Sequence, residues 1–173
     1  MKRGGKNLIS VCFSLFLFLR PPLFPQVQTA PPNIAATLIV KLAAFEKGIS
    51  SSPGVTIFVL ADPKVAIELE KGIGTAIGQS RLSRVLTGIR LPSEKPSILF
   101  VGGGASPEEA VAYSRSQKIL SVTANPEWVA RGVNLGVGVG NDGKPKVLLN
   151  LTAAAEENCN WNPAIMKLVK TTR

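Results

Sequence analysis

The sequence contains no histidine among its 173 residues. Without an imidazole, the chain cannot form a Ser-His-Asp or Cys-His nucleophile, and it lacks the commonest zinc ligand. Carboxylates are few, and the closest pairs, Glu68 with Glu70 and Glu156 with Glu157, fit solvated helix charges better than an acid-base pair. The composition therefore predicts that the protein is not an enzyme, and it indicates no cofactor or metal site.

Cysteine is also scarce, since the chain has only Cys12 and Cys159. Cys12 lies in an apolar N-terminal stretch, and removal of that stretch would leave a single thiol that cannot form an internal disulfide. We interpret Cys159, in "EENCNWN", as a partly buried residue with no functional role. The alternatives are a reactive thiol or a contact that joins two copies into a homodimer.

The basic excess is smaller than it first appears. The formal net charge is +9, but Lys2, Arg3, Lys6 and Arg20 lie in the first 30 residues; removing these four from the 20 basic residues leaves 16 against 11 acidic ones, or +5. The remaining basic residues are scattered and are not interleaved with aromatic ones. This pattern argues against nucleic-acid binding.

Residues 1–30 have the layout of a secretory signal peptide. A basic start is followed by an apolar stretch from Leu8 to Leu19 and then by a proline-rich segment. Twelve apolar residues are fewer than the about 20 that a bilayer-spanning helix needs. We therefore expect export to the periplasm. The cleavage site is uncertain because Pro31 follows Ala30, and an uncleaved, membrane-tethered N-terminus is the alternative.

From residue 31 onward, helix-like and strand-like segments alternate. The spacing of apolar residues predicts a helix over 34–47 and a buried strand in "VTIFVLAD". A second helix is predicted in "DPKVAIELEKGIGTAI", with Asp62 as its N-cap and Pro63 in its first turn. Further strands are predicted in "SRVLTGI", "PSILFVG" and "ILSVT", with a helix in "SPEEAVAYSRSQK". This order indicates a single α/β domain over 31–173, with a mainly parallel sheet flanked by helices.

Three consecutive glycines, Gly102, Gly103 and Gly104, lie between a predicted strand and a predicted helix, as in dinucleotide-binding turns. The next helix, however, is predicted to have Ser106 as its N-cap, with the Glu109 carboxylate completing the cap, so that both occupy the amides a phosphate would bind. Glu108 and Glu109 would also repel a phosphate. We therefore interpret the glycines as a structural turn.

The C-terminal half contains a glycine-rich strand. In "GVNLGVGVG", valine and leucine alternate with Asn134, Gly136, Gly138 and Gly140. The turn "NDGK" and a second alternating segment predict an antiparallel hairpin at the sheet's edge. A glycine face marks the close approach of another group. Here we expect the protein's own terminal helix, the alternative being a ligand or partner groove.

The segments "IVKLAAFEKGI", "VTIFVLAD", "ILFVGGG", "ILSVTANPEWVARGVNLGVGV" and "KVLLNLTAAAEENCNWNPAIMKLVK" resemble the YfiR-like family of exported bacterial proteins over residues 34–171. The most specific part is the C-terminal block, with a hairpin followed by Asn150 and Leu151 opening a final helix. The sequence departs from the family by lacking its frequent cysteine pairs and an aromatic-Trp-Pro ending of the first helix, where Ile49 to Pro53 stand instead.

The resemblance implies regulation. The best-understood family members bind the periplasmic domain of an inner-membrane diguanylate cyclase and restrain it, whereas others have no established role. The departures argue against redox control and against that particular partner. The alternative is a periplasmic small-molecule-binding protein whose site lies at the carboxyl ends of the parallel strands, near Ala61, Gly102–Ala105 and Ala124–Trp128.

Trp128 follows Pro126 just beyond the end of a predicted strand. Its side chain either fills the core at the sheet's edge (the core-plug interpretation) or contacts a binding partner. Arg131 lies three residues further on, so the two side chains could share one face of a helix. The predicted partner or ligand surface consists of Trp128, Arg131, Gly136, Gly138, Gly102, Gly103 and Gly104.

Overall fold

The computed structural model describes residues 27–173. The predicted leader therefore lies outside the described residues, except for its last four. Within this range the chain forms nine strands, six α-helices and one 3-10 helix. The strands are β1 Gln28–Thr29, β2 Val55–Leu60, β3 Ala76–Ile77, β4 Ser80–Gly88, β5 Ile98–Val101, β6 Leu120–Thr123, β7 Leu135–Val139, β8 Pro145–Asn150 and β9 Lys170–Thr172. The helices are α1 Pro32–Ala43, α2 Lys47–Ser50, α3 Pro63–Glu70, α4 Pro107–Gln117, α5 Glu127–Ala130, α6 Leu151–Glu156 and the 3-10 helix Pro163–Lys167.

The strands form one mixed sheet in the order β3-β4-β2-β5-β6-β7-β8-β9. Five neighbouring pairs are parallel: β4 with β2, β2 with β5, β5 with β6, β6 with β7, and β8 with β9. The pairs β3–β4 and β7–β8 are antiparallel, and β1 pairs antiparallel with β7. The predicted α/β fold, with a mainly parallel sheet and an antiparallel hairpin, is confirmed.

The central strands are buried on both faces, which is why they read as continuous apolar runs. In β2, Ile57 and Val59 belong to the core cluster that contains the buried residues of α1 and α3. Phe58 and Leu60 belong to a second cluster, formed with residues of α4 and α5. Helices therefore cover both sheet faces, and each face has its own core.

Two helices are shorter than the sequence predicts. The predicted helix 34–47 ends at Ala43, and a separate turn, α2, begins after Glu46, whose side chain caps it. The helix after Asp62 begins as predicted, with the Val65 N–H donating to the Asp62 side chain at 3.2 Å, but it ends at Glu70. The glycines that follow permit a turn into β3, with Gly74 at a φ of +90°.

The C-terminal antiparallel hairpin forms as predicted, and its register places Leu135 opposite Leu149 and Val137 opposite Val147. Asn150 opens α6 as expected, since its side chain accepts a hydrogen bond from the Ala153 N–H at 3.0 Å. The prediction that the hairpin forms the sheet's edge is wrong, because β9 pairs in parallel with β8 on its outer side. The hairpin therefore lies one strand in from the edge.

The glycine face of β7 is not covered by the terminal helix, so that expectation is also wrong. A side chain at Gly136 would meet Val129 of α5. A Cβ at Gly138 would lie 2.5 Å from Val27 Cγ1, 2.7 Å from the Gln28 carbonyl oxygen and 2.7 Å from Pro126 Cγ. The close approach that the glycines indicated is therefore made by α5, by the residue before it and by the N-terminal strand.

We expect Gly138→Ala to destabilise the domain by about 1–3 kcal/mol, because a methyl group there forces the N-terminal strand or Pro126 to move. The matched control is Gly103→Ala, at a glycine with no other atom within 4 Å of an added Cβ. That control should change the unfolding free energy by less than about 0.5 kcal/mol. Urea unfolding measures both changes, and equal effects would contradict the close approach at Gly138.

Candidate functional site

The carboxyl ends of β2, β4, β5 and β6 lie at one edge of the sheet because these strands are parallel. Backbone hydrogen bonds join the turns there: the Ala61 N–H donates to the Gly88 carbonyl at 2.7 Å, and the Gly102 N–H donates to the Leu60 carbonyl at 2.9 Å. The turns are therefore fixed to one another. We call the segments that follow these strands the carboxyl edge: 61–62, 88–91, 102–106 and 124–128.

The three glycines at this edge form a close-packed turn. A Cβ at Gly102 would collide with Asp62 and would lie 2.5 Å from the Leu60 carbonyl oxygen. The Gly102 amide is already bonded to that same carbonyl, so it is not available to a phosphate. Gly103 has open space around it. The geometry supports the interpretation of the glycines as a structural turn.

The amino end of α4 carries its own negative charge. Ser106 caps the helix, with its hydroxyl accepting from the Glu109 N–H at 3.4 Å. The Glu109 carboxylate does not accept from the helix amides as predicted; instead, the Glu108 carboxylate accepts from the Ser106 hydroxyl at 3.5 Å. A hydrogen bond from its own backbone N–H and another from Arg131 hold the pKa of Glu108 below its usual value. An anionic ligand would be repelled from this helix end.

Trp128 and Arg131 do not form one binding face. Trp128 is 7% exposed and belongs to the core cluster shared by β2, β5 and α4, which favours the core-plug interpretation. Arg131 lies just beyond the last residue of α5, where its Nε donates to the Glu108 carboxylate at 2.8 Å. The Arg131 side chain remains half exposed, so only it is open to a partner.

The seven predicted surface residues divide into two groups. Gly103 and Gly104 are exposed at the carboxyl edge, and Arg131 is exposed just after α5. Trp128, Gly102, Gly136 and Gly138 are buried by the protein's own atoms. Sequence spacing does not distinguish the two groups, because the covering residues come from segments that are distant in the chain. The structure therefore retains only part of the predicted surface.

A buried carboxylate that the sequence interpretation missed lies at the opposite side of the molecule. Glu157 is 1% exposed and accepts four hydrogen bonds. The donors are the Ser114 hydroxyl at 2.6 Å, the Ser121 hydroxyl at 2.5 Å, the Ser121 N–H at 3.0 Å and the Asn134 side-chain amide at 2.8 Å. Both carboxylate oxygens are therefore satisfied by the protein.

The interpretation of Glu157 as a solvated helix charge is wrong. Burial raises the pKa of Glu157, although its hydrogen bonds act in the other direction. A signal for this cluster did exist in the sequence, since Ser121 and Asn134 interrupt apolar strand segments. A polar side chain in such a segment needs a buried partner.

A second buried carboxylate, Glu46, links the C-terminal segment to the connection between α1 and α2. Its two oxygens accept from the Ile49 N–H and from the Asn160 N–H, each at 2.7 Å. Backbone bonds add to this contact, with the Lys47 N–H donating to the Asn160 carbonyl at 3.0 Å. Glu46 thus caps a helix turn and holds a distant segment at once.

These two carboxylates line a cavity of about 340 Å³ at the amino ends of β5 and β6. Lys95, Lys118 and Cys159 also line it. The oxygens of Glu46 and Glu157 are already bonded to protein donors, so they shape the walls and leave no free carboxylate for acid-base chemistry. The cavity lies at the edge opposite to the one that the sequence predicted for a ligand.

Cys159 is partly buried, as predicted. Burial raises the pKa of its thiol, and the nearby Glu157 and Glu46 carboxylates raise it further. Because the thiolate is the reactive form, a raised pKa lowers the reactivity of this thiol at neutral pH.

Within residues 27–173, no group of three or more His, Cys, Asp or Glu side chains is placed to hold a metal ion. No helix in the same range is long and apolar enough to cross a membrane.

We expect Trp128→Ala to destabilise the domain by about 3–5 kcal/mol, because it removes a large side chain from a packed core. The control is Arg131→Ala, which breaks an exposed ion pair and should cost no more than about 1 kcal/mol. Urea unfolding measures both. A Trp128→Ala protein of near wild-type stability would contradict the core-plug interpretation.

Glu157 should make stability depend on pH in a defined direction. A folded-state pKa above the usual value means that the folded protein holds the proton more tightly than the unfolded chain, so protonation stabilises the fold. Relative to Glu157→Gln, the wild-type protein should therefore gain unfolding free energy as the pH falls from about 8 to about 5. The control Glu156→Gln changes the neighbouring carboxylate, which is 42% exposed, and the difference from the wild type that grows as the pH falls is expected for Glu157→Gln. Parallel profiles for the wild type and Glu157→Gln would contradict the raised pKa.

Comparisons with known proteins establish the fold and nothing finer. No family model matches the chain, and no curated protein matches it. A crystal structure of a conserved domain protein from Vibrio cholerae O1 biovar El Tor strain N16961 is similar, with a TM-score of 0.56 at 15% sequence identity. The match covers 84% of this chain and 61% of that one. The chain is thus similar in fold to part of a longer bacterial protein.

Proposed function

We propose that the protein is a non-enzymatic, exported regulator that binds and restrains the periplasmic domain of an inner-membrane signalling protein, such as a diguanylate cyclase or a sensor. The order of segments that resembles the YfiR-like family supports this proposal, and the α/β fold is compatible with it. The basic and apolar leader supports export to the periplasm.

The exposed side chain of Ile89 is the observation that carries the proposal. Ile89 follows the end of β4 at the carboxyl edge and is 86% exposed, more than Ile67 at 55% or Ile73 at 52%. It is next to the exposed Arg90, and Gly103 at the same edge leaves open space. An exposed apolar side chain next to a basic one can bind a partner protein whose surface has an apolar patch bordered by acidic residues.

The first described residues also lie at this edge. Gln28 pairs with Val139, the last residue of β7, and β1 runs antiparallel to β7. Val27, the first described residue, therefore lies beyond the carboxyl end of β7. A leader that directs the chain to the membrane would bring the carboxyl edge close to a partner in that membrane.

The cavity at the amino ends of β5 and β6 favours a second candidate, a periplasmic small-molecule-binding protein. Its volume of about 340 Å³ lies within the range of ligand pockets. The two carboxylates and Lys118 in its walls are occupied by internal hydrogen bonds, which leaves Lys95 as the charged group open to a ligand. We therefore rank this candidate second.

Ile89→Asp should weaken binding to the periplasmic domain of the candidate signalling protein by about 30-fold, which corresponds to about 2 kcal/mol. The matched control is Ile67→Asp, the same change at an exposed isoleucine of α3, and it should leave the dissociation constant within about twofold of the wild-type value. Biolayer interferometry with the purified periplasmic domain of a cyclase from the same genome measures both.

Failure of the wild-type protein to bind any periplasmic domain of a cyclase or sensor from that genome would contradict the proposed function. Equal weakening by Ile89→Asp and Ile67→Asp would retain a binding function but would contradict the choice of the carboxyl edge. Cyclic-di-GMP levels give a second readout: loss of the protein should raise them, and the Ile89→Asp variant should not restore them.

A further inference from the structure

The short strand β1 completes an edge of β7 that the neighbouring strand leaves unpaired. On that side of β7, β6 pairs with Leu135 and Gly136 only, through Val122 and Thr123. Gln28 and Thr29 continue the pairing at Val139 and Gly138. Without β1, the backbone groups in the second half of β7 would lose their partner on this edge.

Close contacts at Gly138 and Ala30 also pack β1 against the rest of the domain. An added Cβ at Gly138 would meet Val27 and the Gln28 carbonyl oxygen, so a side chain at this position would displace the strand. Ala30 is 4% exposed, and its N–H donates to the Ala124 carbonyl at 3.2 Å. Residues 27–30 therefore belong to the folded domain, although the sequence places them at the end of the leader.

This placement conflicts with signal-peptide cleavage after Ala30, which would remove β1 and the buried Ala30. A signal peptidase needs small residues next to the scissile bond. From Leu15 to Gln28 the chain has no alanine, glycine or serine, so no such site exists between the apolar stretch and β1. The structure therefore leaves the leader without a suitable cleavage site.

We infer that the leader is retained and tethers the domain to the membrane through its N-terminus, with the carboxyl edge toward the bilayer. This inference rests on the export that the proposed function requires. A bilayer accommodates a short apolar stretch by local thinning and by snorkelling of flanking basic side chains. The sequence has Lys6 and Arg20 on either side of the stretch Leu8–Leu19.

The test uses the full chain with an epitope tag after Arg173, expressed in a Gram-negative host. Intact mass spectrometry should give a protein that still contains residues 1–26, and the protein should sediment with membranes after a high-salt wash. A mass that begins at Pro31, or at any residue after Leu19, would overturn the inference. So would recovery of the full-length protein in the soluble periplasmic fraction.

A cleavable variant provides the matched control. Phe24→Ala combined with Gln26→Ala places an Ala-x-Ala site directly before Val27 and keeps β1 intact. This variant should be processed and should move to the soluble periplasmic fraction with a folded domain. If it stays uncleaved like the wild type, the absence of small residues does not explain retention, and that step of the inference is wrong.

The structural premise has its own measurement. A purified domain that begins at Pro31 should melt at least about 3 °C below one that begins at Val27, because it lacks β1. Gly138→Ala should lower the melting temperature less in the shorter domain than in the longer one, since only Pro126 remains to be displaced. Equal melting temperatures for the two domains would show that β1 is dispensable and would overturn the inference.

Fusion of alkaline phosphatase after Arg173 separates the inference from the proposed function. An inactive fusion means that the chain is not exported, which would overturn both. An active fusion whose mass begins at Pro31 would overturn only the retained tether, and the proposed regulator would remain.

Discussion

The C-terminal half of the molecule depends on one buried carboxylate. Glu157 has almost no contact with solvent, so its two oxygens require donors from the protein itself. Those donors come from Ser114 on α4, Ser121 on β6 and Asn134 just before β7. Satisfying one side chain after α6 therefore fixes a helix and two strands relative to the end of the chain.

The second constraint is the change of direction at β7. This strand pairs in parallel with β6 on one side and antiparallel with β8 on the other, and it is longer than its pairing with β6. Its glycines let α5 and β1 approach closely enough to cover the strand and to complete its edge. The glycine face is thus a requirement of the protein's own assembly and not an open groove.

α/β proteins commonly bind ligands at the carboxyl edge. Here, polar groups at this edge already form hydrogen bonds with other groups of the same protein. The Gly102 amide bonds to Leu60, and the amino end of α4 is capped by Ser106 and neighboured by the Glu108–Arg131 pair. The exposed groups that remain at this edge include Ile89 and Arg90. Such a surface is better suited to a protein partner than to a phosphate, and this is the physical basis of the proposed regulatory function.

The sequence by itself determined the features that depend on neighbouring residues. The alternation of strands and helices follows from local apolar spacing, and the caps Asp62, Ser106 and Asn150 act on amides three residues away. The register of the β7–β8 hairpin follows from alternation on both sides of a short turn. For these elements the interactions that decide the structure lie within a few residues.

Only the tertiary structure decided which distant groups meet. Glu157 resembles any solvated helix glutamate until residues 23 to 43 positions away in the chain surround it. The role of residues 27–30 as a strand depends on β7, more than a hundred residues later. The cover over Gly136 and Gly138 likewise comes from other segments of the chain. Burial and close approach arise only when the core is assembled. A local sequence pattern therefore does not predict which distant segment will contact a given residue.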